Sequence, residues 1–159
     1  MTPEQLTILK NYITSDPVLN AYPMDGDGLN AVADALNAAS NPAFYVWKSS
    51  VSVDEIMRGN LDWSQVDNLS VGKARIWDWM TRLGSFNPSK QNIRAGIDAA
   101  WAGTAAMLAV RATIYALCNR PATVAEKLLA TGTGTTTDPA LLGLEGKITA
   151  NDVDAARRS

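Results

Sequence analysis

Residues 91–118, with the sequence QNIRAGIDAAWAGTAAMLAVRATIYALC, decide the fold class of the chain. Apolar side chains recur there at three- and four-residue intervals, from Ile93 through Trp101 to Tyr115. This spacing places them on one face of an α-helix and is typical of a helix that packs on a core. Gly103 interrupts the pattern and leaves three interpretations open: a kink, a boundary between two helices, or a close helix crossing.

The part of this stretch from Ala99 to Cys118 is also the most membrane-like in the chain, because it is rich in alanine and other apolar residues. Arg111 lies within it, and an arginine near the middle of a membrane span costs roughly 2.5–3.5 kcal/mol on insertion scales. We therefore expect a buried helix of a soluble protein and no membrane partner.

Shorter segments repeat the helical pattern along the chain. Apolar stripes follow Thr2, the pair Asp25 and Asp27, either of which can cap the next helix, and Thr123. These residue types suit the position just before a helix. Strands and helices do not alternate as they do in a βαβ fold. The sequence therefore predicts an all-α fold, mainly a helical bundle, with at most one short strand near 43–48, where aromatic and β-branched residues cluster.

The segment Val71–Leu83 predicts another helix, with Trp79 on its outer face. Its predicted core-facing side chains are Ile76, Met80 and Leu83. Arg75 precedes Trp79 by four residues and Arg82 follows it by three, so all three share one helical face. A tryptophan flanked by arginines has the composition of an interface hot spot. The alternative is a surface cation–π cluster within the monomer.

The composition changes after Ala130. Residues 131–137 are only threonine and glycine, which is typical of a flexible or extended tether. We therefore predict a helical body at 1–130 and a docking segment at 131–159, called here the C-terminal arm. Its candidate interface residues are Leu141, Leu142, Leu144, Ile148, Arg157 and Arg158. The arm either packs back on its own body or docks on a neighbouring subunit, because exposed apolar segments need a partner.

The docking hypothesis carries three expectations. The tether should be mobile in the free monomer, because glycine raises the entropy of an unanchored chain. Arg157 and Arg158 should meet acidic groups or DNA phosphates of the partner. Truncation after Ala130 should leave a folded helical body that no longer assembles.

The residue types needed for common enzymatic chemistry are scarce. The chain has no histidine, which removes the most frequent general base and metal ligand, and Cys118 is its single cysteine. The net charge of -2 argues against a protein dedicated to wrapping DNA, which needs a basic face. We predict that the chain is not an enzyme and has no catalytic, cofactor-binding or metal-ligating residues.

Two partial motifs fail their tests. Gly146-Lys147 resembles the end of a nucleotide-binding loop, but Leu141 and Ile148 stand where that loop needs a glycine and a hydroxyl residue. Asp25-Gly26-Asp27 resembles the start of an EF-hand loop, but later positions lack the required glycine and glutamate. A turn followed by a helix cap is the simpler interpretation of the acidic pair.

Two stretches carry a family resemblance. Residues 94–103, RAGIDAAWAG, and residues 122–134, ATVAEKLLATGTG, resemble small proteins encoded in the structural gene blocks of tailed bacteriophages. Together with the opening and with residues 145–153, the likeness covers most of the chain. It includes no functional signature, so no site residue carries over.

The resemblance implies a virion protein of the head–tail connector (adaptor) type, made in the cytoplasm of the bacterial host. Such proteins form a ring, commonly twelvefold, that binds the portal through terminal segments. The implied partners are further copies of the chain, the portal and tail-completion proteins, with DNA passing through the channel at most non-specifically. The alternatives are another capsid- or tail-associated virion protein, a non-virion helical regulatory protein, and a hydrolase with an unusual site, which the absence of histidine disfavours.

Overall fold

A computed structural model describes all 159 residues and is mainly helical. The helices are α1 (Pro3–Ser15), α2 (Pro17–Ala21), α3 (Gly26–Asn37), α4 (Val53–Met57), a 3-10 helix (Trp63–Asn68), α5 (Val71–Thr81), α6 (Gln91–Ala100), α7 (Ala105–Leu117), α8 (Val124–Leu129) and α9 (Ala150–Arg158). The strands are β1 (Tyr45–Trp47), β2 (Val51–Ser52), β3 (Ser85–Phe86) and β4 (Asn119–Pro121). The predicted fold class is confirmed.

The strands form two sheets of two strands each. β1, which lies in the predicted segment, pairs with β4, and β2 pairs antiparallel with β3 so that Val51 is opposite Phe86. The sequence predicts at most one strand, and β2, β3 and β4 correct that number. Each has only two or three residues, which is too short for the alternation that identifies a strand in a sequence.

The chain divides into two compact units. Unit 1 combines residues 1–46 with residues 121–159, and unit 2 is the continuous segment 47–120. The two units do not follow the predicted boundary at residue 130, because the first and last parts of the chain belong to one unit.

The core of unit 1 is built by α1, α3, α8 and α9. Leu9, Val32 and Val153 each have no solvent exposure, and Ile148 is 3% exposed. α9 packs on both α1 and α3. The C-terminal arm is thus part of its own chain's core, since buried side chains such as Ile148 and Val153 have no surface left for docking on a partner.

The Thr/Gly segment of the arm, for which we predict a mobile tether, packs on other residues of unit 1. Gly134 is buried, adopts φ +69° and accepts a hydrogen bond from Tyr45 N at 2.8 Å. A Cβ at this position would overlap the Phe44 ring. The hydroxyl of Thr133 also bonds Asp138, at 2.7 Å to Oδ2. Glycine is used here for a positive φ and close packing, not for flexibility.

Unit 2 is built around buried aromatic side chains. Trp101 has no exposed surface and packs edge-on against Trp77, with the ring centroids 5.4 Å apart. Gly103, at φ +138°, lies between α6 and α7, so of the three interpretations the structure shows a boundary between two helices. No helix of the chain is long and apolar enough to cross a membrane.

Candidate assembly surface

The orientation of α5 is fixed by its buried side. Trp77 and Met80 are 7% and 8% exposed, and Ser70 caps the helix by accepting a hydrogen bond from Lys73 N. A Cβ added to Gly96 of α6 would lie only 2.9 Å from the Met80 sulfur, so the two helices approach closely there. With this side turned inward, the opposite side of α5 faces solvent.

That outer side carries an apolar surface without a partner, called here the α5 surface. It consists of Val71, Arg75, Trp79, Arg82 and Leu83. The exposed fractions of Val71, Trp79 and Leu83 are 71%, 66% and 67%. The predicted outward position of Trp79 is therefore what the structure shows.

The assignment of Leu83 to the core-facing side is wrong. α5 ends at Thr81, and Arg82 is the residue that caps it, so the helical spacing no longer applies at Leu83. Gly84 follows at φ +73° and turns the chain away. The leucine is consequently added to the exposed surface and not to the core.

The two arginines of the α5 surface differ in their ion pairing. Arg82 Nη2 lies 2.8 Å from Asp78 Oδ2, whereas Arg75 has no ion-pair partner. Neither guanidinium lies over the Trp79 ring, since the cation–π contacts of the chain join Arg94 to Trp47 and Lys127 to Phe44. The cation–π cluster that would satisfy Trp79 within the monomer is therefore not formed.

An apolar groove adjoins this surface. It has a volume of about 410 Å³ and is lined by Met57, Trp63 and Val66 together with Thr81 and Arg82. Met57 is 51% exposed and Val66 is 38% exposed. The groove extends the exposed apolar area beyond α5 into the region of the 3-10 helix.

Unit 1 has a concave site of its own beside the α2–α3 turn, called here the α2–α3 pocket. Its volume is about 290 Å³, and its lining includes Thr14, Asn20, Tyr22, Met24 and Arg157. The sequence pattern indicates only a turn at this place, because the walls of the pocket come from α1, α2 and α9, which are distant in sequence.

The two arginines predicted to dock the arm are engaged within the chain. The Arg157 guanidinium donates to the carbonyl of Tyr22 at 2.9 Å and to that of Leu19. Arg158 pairs with Asp154 one helical turn earlier, at 2.7 Å. Arg157 is therefore held by carbonyls of its own chain, whereas the Arg158 side chain is 68% exposed and its role toward a partner's acidic groups stays a prediction.

The leucines of the arm differ from one another. Leu142 packs on the small cluster of Val46, Ala122 and Ala140, and Leu144 packs on the main core of unit 1. Leu141 remains 41% exposed, although its backbone forms two hydrogen bonds with Thr131. The structure therefore does not join these residues into a single surface.

Asp25, Cys118 and Tyr115 have structural roles in the fold. Asp25 caps α3 by accepting from Gly28 N at 2.8 Å, as the turn-and-cap interpretation predicts. Burial raises the pKa of the Cys118 thiol to about 12. Burial, followed by the hydrogen bond to Asp98, also raises the pKa of Tyr115. Both groups are protonated at neutral pH even at their ordinary pKa values, and burial adds to that preference.

Comparison of the chain with protein-family models, with curated proteins and with solved structures finds no match.

Proposed function

We propose that this chain is a structural protein whose α5 surface binds another subunit in an assembly, and that the assembly is the head–tail junction of a tailed bacteriophage. The observation that carries the proposal is Trp79. Its side chain is 66% exposed, whereas Trp47, Trp77 and Trp101 are at most 7% exposed. An indole left in water beside an unpaired arginine has the composition of an interface hot spot.

The energetics support a binding role for this surface. Aromatic side chains bury about 150–250 Å² when they enter an interface, and apolar burial contributes roughly 25 cal/mol per Å². Val71 and Leu83 extend the apolar area on either side of Trp79. Binding of a partner would remove this whole area from water.

The phage assignment is supported by the resemblance alone. Its two stretches correspond to α6 with its C-terminal turn and to α8 with the Thr/Gly segment that follows. In this proposal the chain forms an oligomeric ring that joins the portal to the tail. Because the arm is folded into unit 1, we assign the contact to the α5 surface and not to the C-terminal arm.

The test compares two exposed apolar side chains. Trp79→Ala should weaken self-association, or binding to the portal protein of the same phage, by roughly 2 kcal/mol or more. Ile8→Ala is the matched control, because Ile8 is 42% exposed on α1 and lies outside the α5 surface. Sedimentation velocity measures the association, and the unfolding midpoint of each variant checks that the fold is retained.

The outcomes separate the possibilities. A large loss of monomer stability in Trp79→Ala would identify Trp79 as part of the fold. Equal assembly of both variants and the parent would contradict the proposal. A chain that stays monomeric and binds neither portal nor any capsid or tail component would favour the regulatory alternative.

A further inference from the structure

The two units of the chain carry opposite net charges. Unit 1 has ten acidic and five basic side chains, whereas unit 2 has six acidic and nine basic ones. These counts sum to the formal net charge of -2 for the chain. A nearly neutral total therefore hides an acidic unit and a basic unit, and surfaces of opposite sign attract one another.

The two units also differ in shape, because unit 2 has a projecting side chain and unit 1 has a pocket. Unit 2 offers a projecting group, because Trp79 is exposed on α5 with the unpaired Arg75 one helical turn before it. Unit 1 offers a concave site, the α2–α3 pocket, with a volume of about 290 Å³. A pocket of this size is near the lower limit of small-molecule sites and is large enough for an indole ring.

The lining of the pocket is more polar than apolar, and it includes two side chains that can contact a tryptophan. Tyr22 and Met24 line it and are 38% and 46% exposed, so apolar contacts are available at its mouth. Arg157 also lines it, and carbonyls of its own chain hold the guanidinium in place. An aromatic ring placed over such a group gains a cation–π interaction, which is stronger where water is excluded.

Two exposed carboxylates lie close in sequence to the pocket. Asp25 and Asp27 come one and three residues after the pocket residue Met24. The Asp25 carboxylate caps α3 through one oxygen, and the Asp27 carboxylate has no ion-pair or hydrogen-bond partner. A cation that arrives beside the tryptophan would find these carboxylates available.

From this complementarity we propose that the α5 surface of one copy docks on the α2–α3 pocket of a second copy. Trp79 enters the pocket, and Arg75 pairs with the carboxylates of Asp25 and Asp27. The contact is head-to-tail, because different surfaces of the two copies meet, and repeating it joins copies in series. The inference rests on the proposed function, since it names the partner of the α5 surface.

A mixing experiment tests the contact. Trp79→Ala removes the projecting group but keeps the pocket. Thr14→Trp keeps Trp79 but fills the pocket from within, at an exposed position on α1 that tolerates a larger side chain. Each variant alone should self-associate about 30-fold more weakly than the parent. An equimolar mixture should form dimers that grow no further, because only one intact contact is possible between the two variants.

Sedimentation velocity on the parent, on each variant and on the mixture gives the result. If Thr14→Trp assembles as the parent does while Trp79→Ala does not, the α5 surface is an interface but the pocket is not its partner. That outcome overturns this inference and leaves the proposed function standing. If Trp79→Ala assembles normally, the proposed function fails as well. If the parent binds portal through Trp79 without self-association, a second copy is the wrong occupant.

Charge reversal provides a second measurement that leaves the pocket walls intact. Arg75→Glu should weaken self-association about tenfold, and combining it with Asp27→Lys in the same chain should restore part of the loss. Circular dichroism confirms that both chains are folded. If Asp27→Lys restores no association, the proposed pairing of Arg75 with Asp25 and Asp27 is wrong.

Discussion

The C-terminal arm and the α5 surface have similar compositions, with apolar side chains close to arginines, but the structure places them differently. In the arm, Ile148 is 3% exposed and Arg157 bonds carbonyls of the same chain. On α5, Trp79 is 66% exposed and Arg75 is unpaired. The difference shows that composition identifies side chains that need a partner, whereas the fold decides whether the partner is in the same molecule.

Truncation after Ala130 tests whether the arm is part of the core of unit 1, and it has the largest expected effect on stability. It removes the buried Ile148 and Val153 and the partly buried Leu142 from unit 1. Full burial of a side chain of this size contributes roughly 1.5–3 kcal/mol. We expect α1 and α3 to lose their protection from amide hydrogen exchange, because the three contributions together match the stability of a typical domain, about 5–15 kcal/mol.

Removal of Ser159 alone is the control for this truncation. Ser159 is exposed, and its carbonyl accepts a hydrogen bond from Lys10. Its removal breaks that bond and leaves the buried side chains of α9 in place, so the control should retain exchange protection in α1 and α3. If the truncation after Ala130 also retains exchange protection in α1 and α3, the arm is dispensable for unit 1. That result would support the hypothesis that the arm docks on a partner.

A pair of glycine variants tests whether the Thr/Gly segment is packed or only tethered. Gly134→Ala and Gly84→Ala force an alanine into nearly the same positive φ, +69° and +73°, but only the first meets another side chain, the Phe44 ring. Overpacking of this kind typically costs about 1–3 kcal/mol beyond the backbone strain. We expect Gly134→Ala to lower the free energy of unfolding by that additional amount in urea titrations. Equal losses in the two variants would show that the segment is not packed on Phe44.

The smallest expected effect is on the pH dependence of the unfolding free energy, and it involves Asp152. Burial raises the pKa of Asp152, but its hydrogen bonds with Thr149 outweigh this and hold the pKa below its ordinary value. A lowered folded-state pKa stabilises the fold above the unfolded value of about 3.9, and this contribution is lost as the pH falls through the folded-state pKa. Asp152→Asn should therefore lower the unfolding free energy at neutral pH by about 0.3–1 kcal/mol and flatten its fall between pH 5 and pH 2.

Asp154→Asn is the control, because it removes a carboxylate from the same helix and breaks only the surface pair with Arg158. Urea midpoints measured across this pH range compare the two variants. A pH profile of Asp152→Asn identical to that of the parent would contradict the role given to the cap of α9.

Local features of this fold could be predicted from the sequence. The outward position of Trp79 follows from the helical period. The turn before α3 and its cap by Asp25 or Asp27 follow from the residue types, and the structure shows that Asp25 is the cap. The period alone places Leu83 wrongly, because it does not indicate that α5 ends two residues earlier.

Long-range features could not be predicted. The partner of Gly134 is Phe44, about ninety residues earlier in the chain, and no local pattern connects them. The α2–α3 pocket likewise needs Arg157 beside Tyr22, a contact between the two ends of the sequence. The sequence therefore predicts the exposed face of α5, but it does not predict the α2–α3 pocket of unit 1.

The discontinuity of unit 1 sets an order for its folding during synthesis. Residues 1–46 leave the ribosome first, but the apolar side chains of α1 and α3 remain uncovered until α8 and α9 have been made. At typical translation rates of about 5–20 residues per second, synthesis of residues 47–120 alone takes roughly 4–15 s. Unit 2, being continuous, has its whole sequence available earlier. The nascent chain thus exposes Leu9, Ile13 and Val32 for seconds, which makes its first helices natural targets for a chaperone.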